Sequence, residues 1–162
     1  INMLSEISAK NVATLEARSG DKFRVGNLVL NILGPVRNDY KNTNDHSIVV
    51  LLEWGNSRVM LAGDAELEAE EDILKKFGNS NISCDLLKLG HHGSSTSSGD
   101  AWLKKLSPKI GVITCGKDNE YGHPHAEIIN RLNKYGIKIC RTDISGDIVF
   151  VSDGNILSQK SN

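Results

Sequence analysis

At 162 residues, 39% hydrophobic and 24% charged, the chain has the size and composition of one packed domain. Nineteen basic against twenty acidic residues give a formal charge of -1, which excludes a general attraction to DNA or anionic membranes, so any nucleic-acid contact must be local. No apolar run approaches the roughly 20 residues a bilayer span needs, so no transmembrane segment is expected and the domain reads as soluble.

Residues 1–18 show weak periodicity and no start or stop signals, so no element is assigned there. Residues 22–33 predict a β-hairpin turning at Gly26-Asn27, with Phe23 and Val25 before the turn and Leu28, Leu30 and Ile32 alternating after it. Gly34-Pro35 ends it, and the polar residues 36–45 read as an exposed loop. A second hairpin about Gly55-Asn56 pairs residues 47–53 with 58–62 and delivers Asp64 at its end. Residues 66–77 predict a helix, acidic at its start, with Lys75 and Lys76 at its end and Gly78 as its stop, so the acidic run is read as matching the helix dipole. Strands over 85–89 and 110–115 alternate with helices over 100–106 and 124–135, and strands over 137–141 and 147–152 close the chain. Such mixing predicts a layered α/β architecture in a single domain.

Cys84, Cys115 and Cys140 are widely spaced and odd in number, which argues against a disulfide framework or a zinc knuckle and for core thiols. Four of the five histidines fall between Gly90 and His125. Asp64 follows an apolar strand and a glycine; its carboxylate either projects from the strand end towards a metal or caps the next helix. His91 and His92 follow a strand, where one imidazole suits a metal and the other a substrate contact or proton donor. Neighbours in extended backbone point opposite ways, so the two become equivalent only if the chain turns, which Gly90 and Gly93 permit. Ser94, Ser97 and Ser98, with Ser95 and Thr96 between them, precede a helix start: they suit a phosphate, and a plain polar loop explains them equally well. Pro124 suits a first helical position, which puts His123 at the strand-to-helix crossing and favours it over His125. His46 reads as an exposed loop residue.

In order along the chain, Ile32-Leu33-Gly34-Pro35, Asn44-Asp45-His46-Ser47, Leu61-Ala62-Gly63-Asp64, Leu87-Lys88-Leu89-Gly90-His91-His92-Gly93-Ser94 with Ser97-Ser98, Tyr121-Gly122-His123-Pro124-His125, and Arg141-Thr142-Asp143 with Gly146 resemble the metallo-β-lactamase superfamily. Within it they are most similar to the hydrolase domain of ComEC-type competence proteins, and the resemblance runs over about residues 20–155. It implies an αββα sandwich, incomplete at the N-terminus, with residues 1–162 forming its C-terminal portion. It implies a metal-dependent phosphodiester hydrolase, a nuclease linked to DNA uptake. A small-molecule phosphodiesterase and a metal-free structural or interaction domain are the alternatives.

By the same resemblance Asp64 would bridge two divalent ions and His91, His92 or His123 would supply further ligands or the proton donor; the assignment taken is Asp64, His91 and His123 to metal and His92 to catalysis, with Ser94, Ser97 and Ser98 as the substrate contacts. The metals would be two divalent ions, zinc or manganese, in the intact domain. The family's first metal motif, His-x-His-x-Asp-His, is absent here and is expected upstream of Ile1, so the missing N-terminal part joins DNA or a small phosphodiester as an expected partner. One carboxylate and a few imidazoles cannot fill the shells of two ions, so the isolated chain is expected to be inactive. The compartment stays open, the extracytoplasmic part of a membrane protein included.

Overall fold

The structure, a computed structural model, describes residues 3–160. Its centre is a seven-stranded sheet in sequential order: β1 (Lys22–Val25), β2 (Leu28–Gly34), β3 (Val49–Trp54), β4 (Ser57–Leu61), β5 (Leu86–Lys88), β6 (Ile110–Ile113) and β7 (Lys138–Arg141). Pairing is antiparallel through β4 and parallel from β4 to β7. Both hairpins form where the Gly-Asn pairs predict them. Each turn has positive φ at glycine, +58° at Gly26 and +57° at Gly55, and not at the asparagine that follows, as a type II′ turn requires. At Gly55 space matters as well, because an added Cβ would lie 2.1 Å from the Gly154 carbonyl oxygen.

The parallel half needs crossovers, which helices supply: α2 (Leu67–Phe77), α3 (Asp100–Leu106) and α4 (Ala126–Lys134). They cover one face of the sheet. Ala69 and Ile73 of α2, Trp102, Leu103 and Leu106 of α3, and Ile128 and Leu132 of α4 pack with Val49, Leu51, Met60, Leu87 and Ile113 in one core. The strand repeat of two sends alternate residues to the other face, where Leu86, Val112 and Cys140 form a second, smaller core. A separate hairpin, β8 (Phe150–Ser152) with β9 (Leu157–Gln159), covers that core through Phe150 and Leu157. Helices, large sheet and small sheet stack as layers of the expected α/β fold. Cys84 and Cys140 are buried, Cys115 is half-buried, and all three are free thiols.

The elements not expected are α1 (Met3–Ala9), 3-10 turns at Thr43–His46 inside the expected loop and at Gly90–Gly93, α5 (Thr142–Ser145) after β7, and β9. α1 buries no residue, so it lacks the apolar periodicity that would betray it. The strands expected over 85–89, 110–115 and 147–152 are shorter, at Leu86–Lys88, Ile110–Ile113 and Phe150–Ser152, and one helix start moves. α4 begins at Ala126 with His125 as its N-cap, so Pro124 lies outside the helix rather than in its first turn. No helix among the described residues is long and apolar enough to cross a membrane.

Candidate metal centre

Three neighbouring parallel strands end at one edge, and the chain leaves each end carrying polar groups. Leu61 of β4 is in register with Lys88 of β5, and Lys88 with Val112 of β6. Asp64 and His91 each follow their register residue by the same short step, which brings them to the same edge. His91 N–H donates to the Gly63 carbonyl at 3.2 Å, and the Lys88 ammonium donates to the same oxygen at 3.0 Å.

Asp64 does not cap α2. The N-cap position is Glu66, and the capping acceptor is the buried Asp45, whose Oδ1 takes N–H bonds from Glu66 at 2.9 Å and Ala69 at 3.3 Å. Asp64 is tied by its own backbone N–H to Ser47 Oγ at 3.0 Å, while its carboxylate stays 42% exposed beside His92 Nε2, 3.4 Å away.

The chain does turn at the paired histidines. His91 (φ 44°, ψ 47°) and His92 (φ 53°, ψ 25°) are both left-handed, a conformation that costs a non-glycine residue roughly 1–2 kcal/mol. Two such residues in succession remove the alternation of extended backbone and let both rings face His123, with centroids 5.4 Å and 6.5 Å from it. Gly93 (φ +82°) completes the turn; a Cβ there would meet the Pro124 ring at 2.9 Å.

Each ring is oriented through Nδ1. His92 Nδ1 lies 2.5 Å from the Thr114 carbonyl, which only accepts, so Nδ1 carries the hydrogen and the neutral ring keeps its lone pair on Nε2, facing Asp64. His91 Nδ1 lies 3.0 Å from Glu66 Oε1, which also accepts from Asn44 Nδ2 at 2.8 Å. Burial acts to raise the Glu66 carboxyl, but hydrogen bonds from Asn44, Thr96 and Asn42 and the nearby His91 outweigh it and hold the group below its usual range. His125 is the reverse of His92. Ser95 N–H donates to His125 Nδ1 at 2.9 Å, so its neutral ring carries hydrogen on Nε2.

His123 sits among the others, 4.8 Å from the His125 ring and stacked on Tyr121. Burial, then the neighbouring His125, His91 and His92 imidazoles, lower its pKa, with Asp64 pulling the other way, which favours the neutral ring. His46 is exposed and apart from this cluster, with Nε2 3.1 Å from the Tyr40 carbonyl.

Ser94, Ser97 and Ser98 are buried, at 4%, 0% and 0% exposure, which gives their side chains no surface for a phosphate. Ser97 Oγ donates to the Gly90 and Ser94 carbonyls, bracing the histidine turn from behind. Glu70, placed by the sequence pattern among the dipole-matching acids, is also buried, and its carboxylate accepts from Ser98 N at 2.5 Å and Gly99 N at 2.9 Å. Asn44, Glu66 and Thr114 were missed as site residues. Glu66 has the letters of a helix-start acid, and Thr114 acts through its backbone, which no residue type reveals.

Taken together, this is a layered α/β scaffold presenting a carboxylate and imidazoles at the ends of parallel strands. Residues 17–117 match the family model of the metallo-β-lactamase superfamily, and the chain belongs to that superfamily. It is 35% identical over 148 residues to ComE operon protein 3 of Bacillus subtilis (91% of this chain), 37% identical over 123 residues to competence protein ComA of Neisseria gonorrhoeae (74%), and 33% identical over 117 residues to recombination protein 2 of Haemophilus influenzae (72%). The chain spans only 19%, 18% and 14% of the lengths of those relatives.

Proteins of this superfamily generally bind divalent metals. The donors here fit such an ion in kind, since a carboxylate and imidazoles anchored at Nδ1 by a carbonyl or carboxylate are what a metal shell uses. In number they fall short: among the described residues no three His, Cys, Asp or Glu side chains are arranged to hold an ion.

Proposed function

We propose that this domain hydrolyses phosphodiester bonds with divalent metal, as a nuclease linked to DNA uptake. The observation that carries the reading is the meeting of Asp64, His91, His92 and His123 at one sheet edge, with His92 oriented by the Thr114 carbonyl. The competence names of the relatives support the DNA substrate. In this proposal Asp64, His91 and His123 hold zinc or manganese, two ions in the intact domain, with further ligands from the upstream part of the same domain, of which residues 1–162 form the C-terminal portion. The metal supplies Lewis acidity to a phosphoryl oxygen. His92 moves a proton to the leaving oxygen through Nε2, and Thr114 keeps that nitrogen aimed. Ser97 holds the turn through the Gly90 and Ser94 carbonyls, and burial keeps the Ser94 and Ser98 hydroxyls from meeting substrate directly.

The formal charge of -1 favours a second reading, a small phosphodiester as substrate. Salt separates the two, because DNA cleavage by the intact protein should weaken steeply between about 50 and 200 mM salt while hydrolysis of a small diester should not. The absence of a three-donor group among the described residues favours a third, a metal-free structural domain. Elemental analysis of the intact protein decides that point: stoichiometric zinc or manganese supports the hydrolase, and none refutes it.

A further inference from the structure

Beside His92 and His123 lies a groove of about 380 Å³, within the size range of small-molecule sites. Its lining includes Thr114, Cys115, Asn119, Tyr121 and Thr142, and no Asp, Glu, Lys or Arg. The ionisable edge of the cluster therefore continues into an uncharged hollow. Tyr121 stands at that hollow 78% exposed, with its ring stacked on His123 at 5.8 Å and 23°.

The loop that carries Tyr121 is held in place. Asn119 Nδ2 donates to the Gly116 and His123 carbonyls at 2.9 Å and 2.7 Å, and Asn119 Oδ1 accepts from His123 N at 3.0 Å. The far wall is fixed as well, because the Thr142 hydroxyl donates to the Cys115 carbonyl at 2.8 Å and accepts from Cys115 N at 3.0 Å. An aromatic ring left in water contributes little to the fold, and one that is positioned in advance loses little entropy when it stacks on a ligand.

We propose that this groove is a nucleobase subsite, in which Tyr121 stacks on the base next to the scissile phosphate. The proposal rests on the phosphodiesterase reading above and deepens it. A phosphodiester of nucleotides offers charge to the Asp64 edge and a flat, uncharged ring to the groove, which is the division of chemistry the two surfaces show. Stacking accepts any base, so the subsite selects nucleotides over simple diesters without selecting sequence.

The test compares kcat/KM of the intact protein on a single-stranded deoxyadenylate oligonucleotide and on the same oligonucleotide with abasic residues. The unmutated protein should prefer the base-bearing substrate by roughly 10-fold, the usual scale of one stacked base. Tyr121→Ala should lose that preference, read as the ratio of the two kcat/KM values within the one variant, and Tyr121→Phe, which keeps the ring, should retain it. Equal loss on both substrates, or an unaltered preference in Tyr121→Ala, overturns the subsite while phosphodiester hydrolysis stands. An intact protein that cleaves neither oligonucleotide overturns the nuclease reading and the subsite with it.

Discussion

Asp64 and the three histidines around it differ in how each side chain is held, and the differences predict separable effects. Asp64 is half-exposed and packs in neither core, so Asp64→Ala in the intact protein should cut activity at least about 100-fold with little change in melting temperature. Activity near the unmutated level would remove it from the site. His91→Ala and His123→Ala should lower metal content, read by elemental analysis. His92→Ala should keep metal and lose turnover, because its proposed task is proton transfer through Nε2. Metal retained and rate unchanged in all three would place the chemistry elsewhere. Residue type foretold this cluster because histidine is scarce here and four of five lie close in sequence. The tautomers were not foretold, since they depend on the Thr114 carbonyl and the Ser95 amide, which reach the rings only through the fold.

Between elements, α2 meets the serine loop through a buried carboxyl, Glu70. Burial pushes the Glu70 carboxyl up to about 8 from 4.5, against the two amides it accepts and the charge of Arg131, which favour ionisation. Arg131 also donates to the Ser97 and Ser98 carbonyls, at 3.0 and 2.9 Å, so the loop is gripped from both sides. A carboxyl whose pKa is higher folded than unfolded makes the folded state bind more protons, and its contribution is full below about 4.5 and is lost as pH rises through about 8. Thermal melts of the unmutated protein should therefore show a fall in stability over that interval, and Glu70→Gln should remove that slope. The amide side chain so introduced has one acceptor oxygen for two N–H donors, so the variant should also be about 1–3 kcal/mol less stable at low pH. An unchanged slope would mean that Glu70 is ionised throughout. The hairpins and α2 were legible because alternation, Gly-Asn turns and end charges are local signals. The cap of α2 by Asp45 and the grip of Glu70 on Ser98 and Gly99 were not, because each joins residues more than twenty positions apart.

For the whole molecule, the shortage of donors sets the expected behaviour of the chain by itself. These 162 residues should bind zinc or manganese more weakly than the intact protein and show little nuclease activity, checked by metal titration and plasmid cleavage on both. Full activity from the short chain would mean that the described donors rearrange into a complete shell. Strand order adds a sequence in time. The two hairpins close over two-residue turns, whereas each parallel pairing joins segments more than twenty residues apart and must wait for longer loops to close. Pulsed hydrogen exchange during refolding should protect amides of β1–β4 before those of β5–β7; the reverse order would rule this out. Asp64 then stands on an early hairpin while its imidazoles are still dispersed, and they reach it only as the last strands dock. In that order, a chain that stops before β6 has Asp64 in place and no strand to carry His123 to it, so the early half of the sheet holds the carboxylate and the late half completes its surroundings.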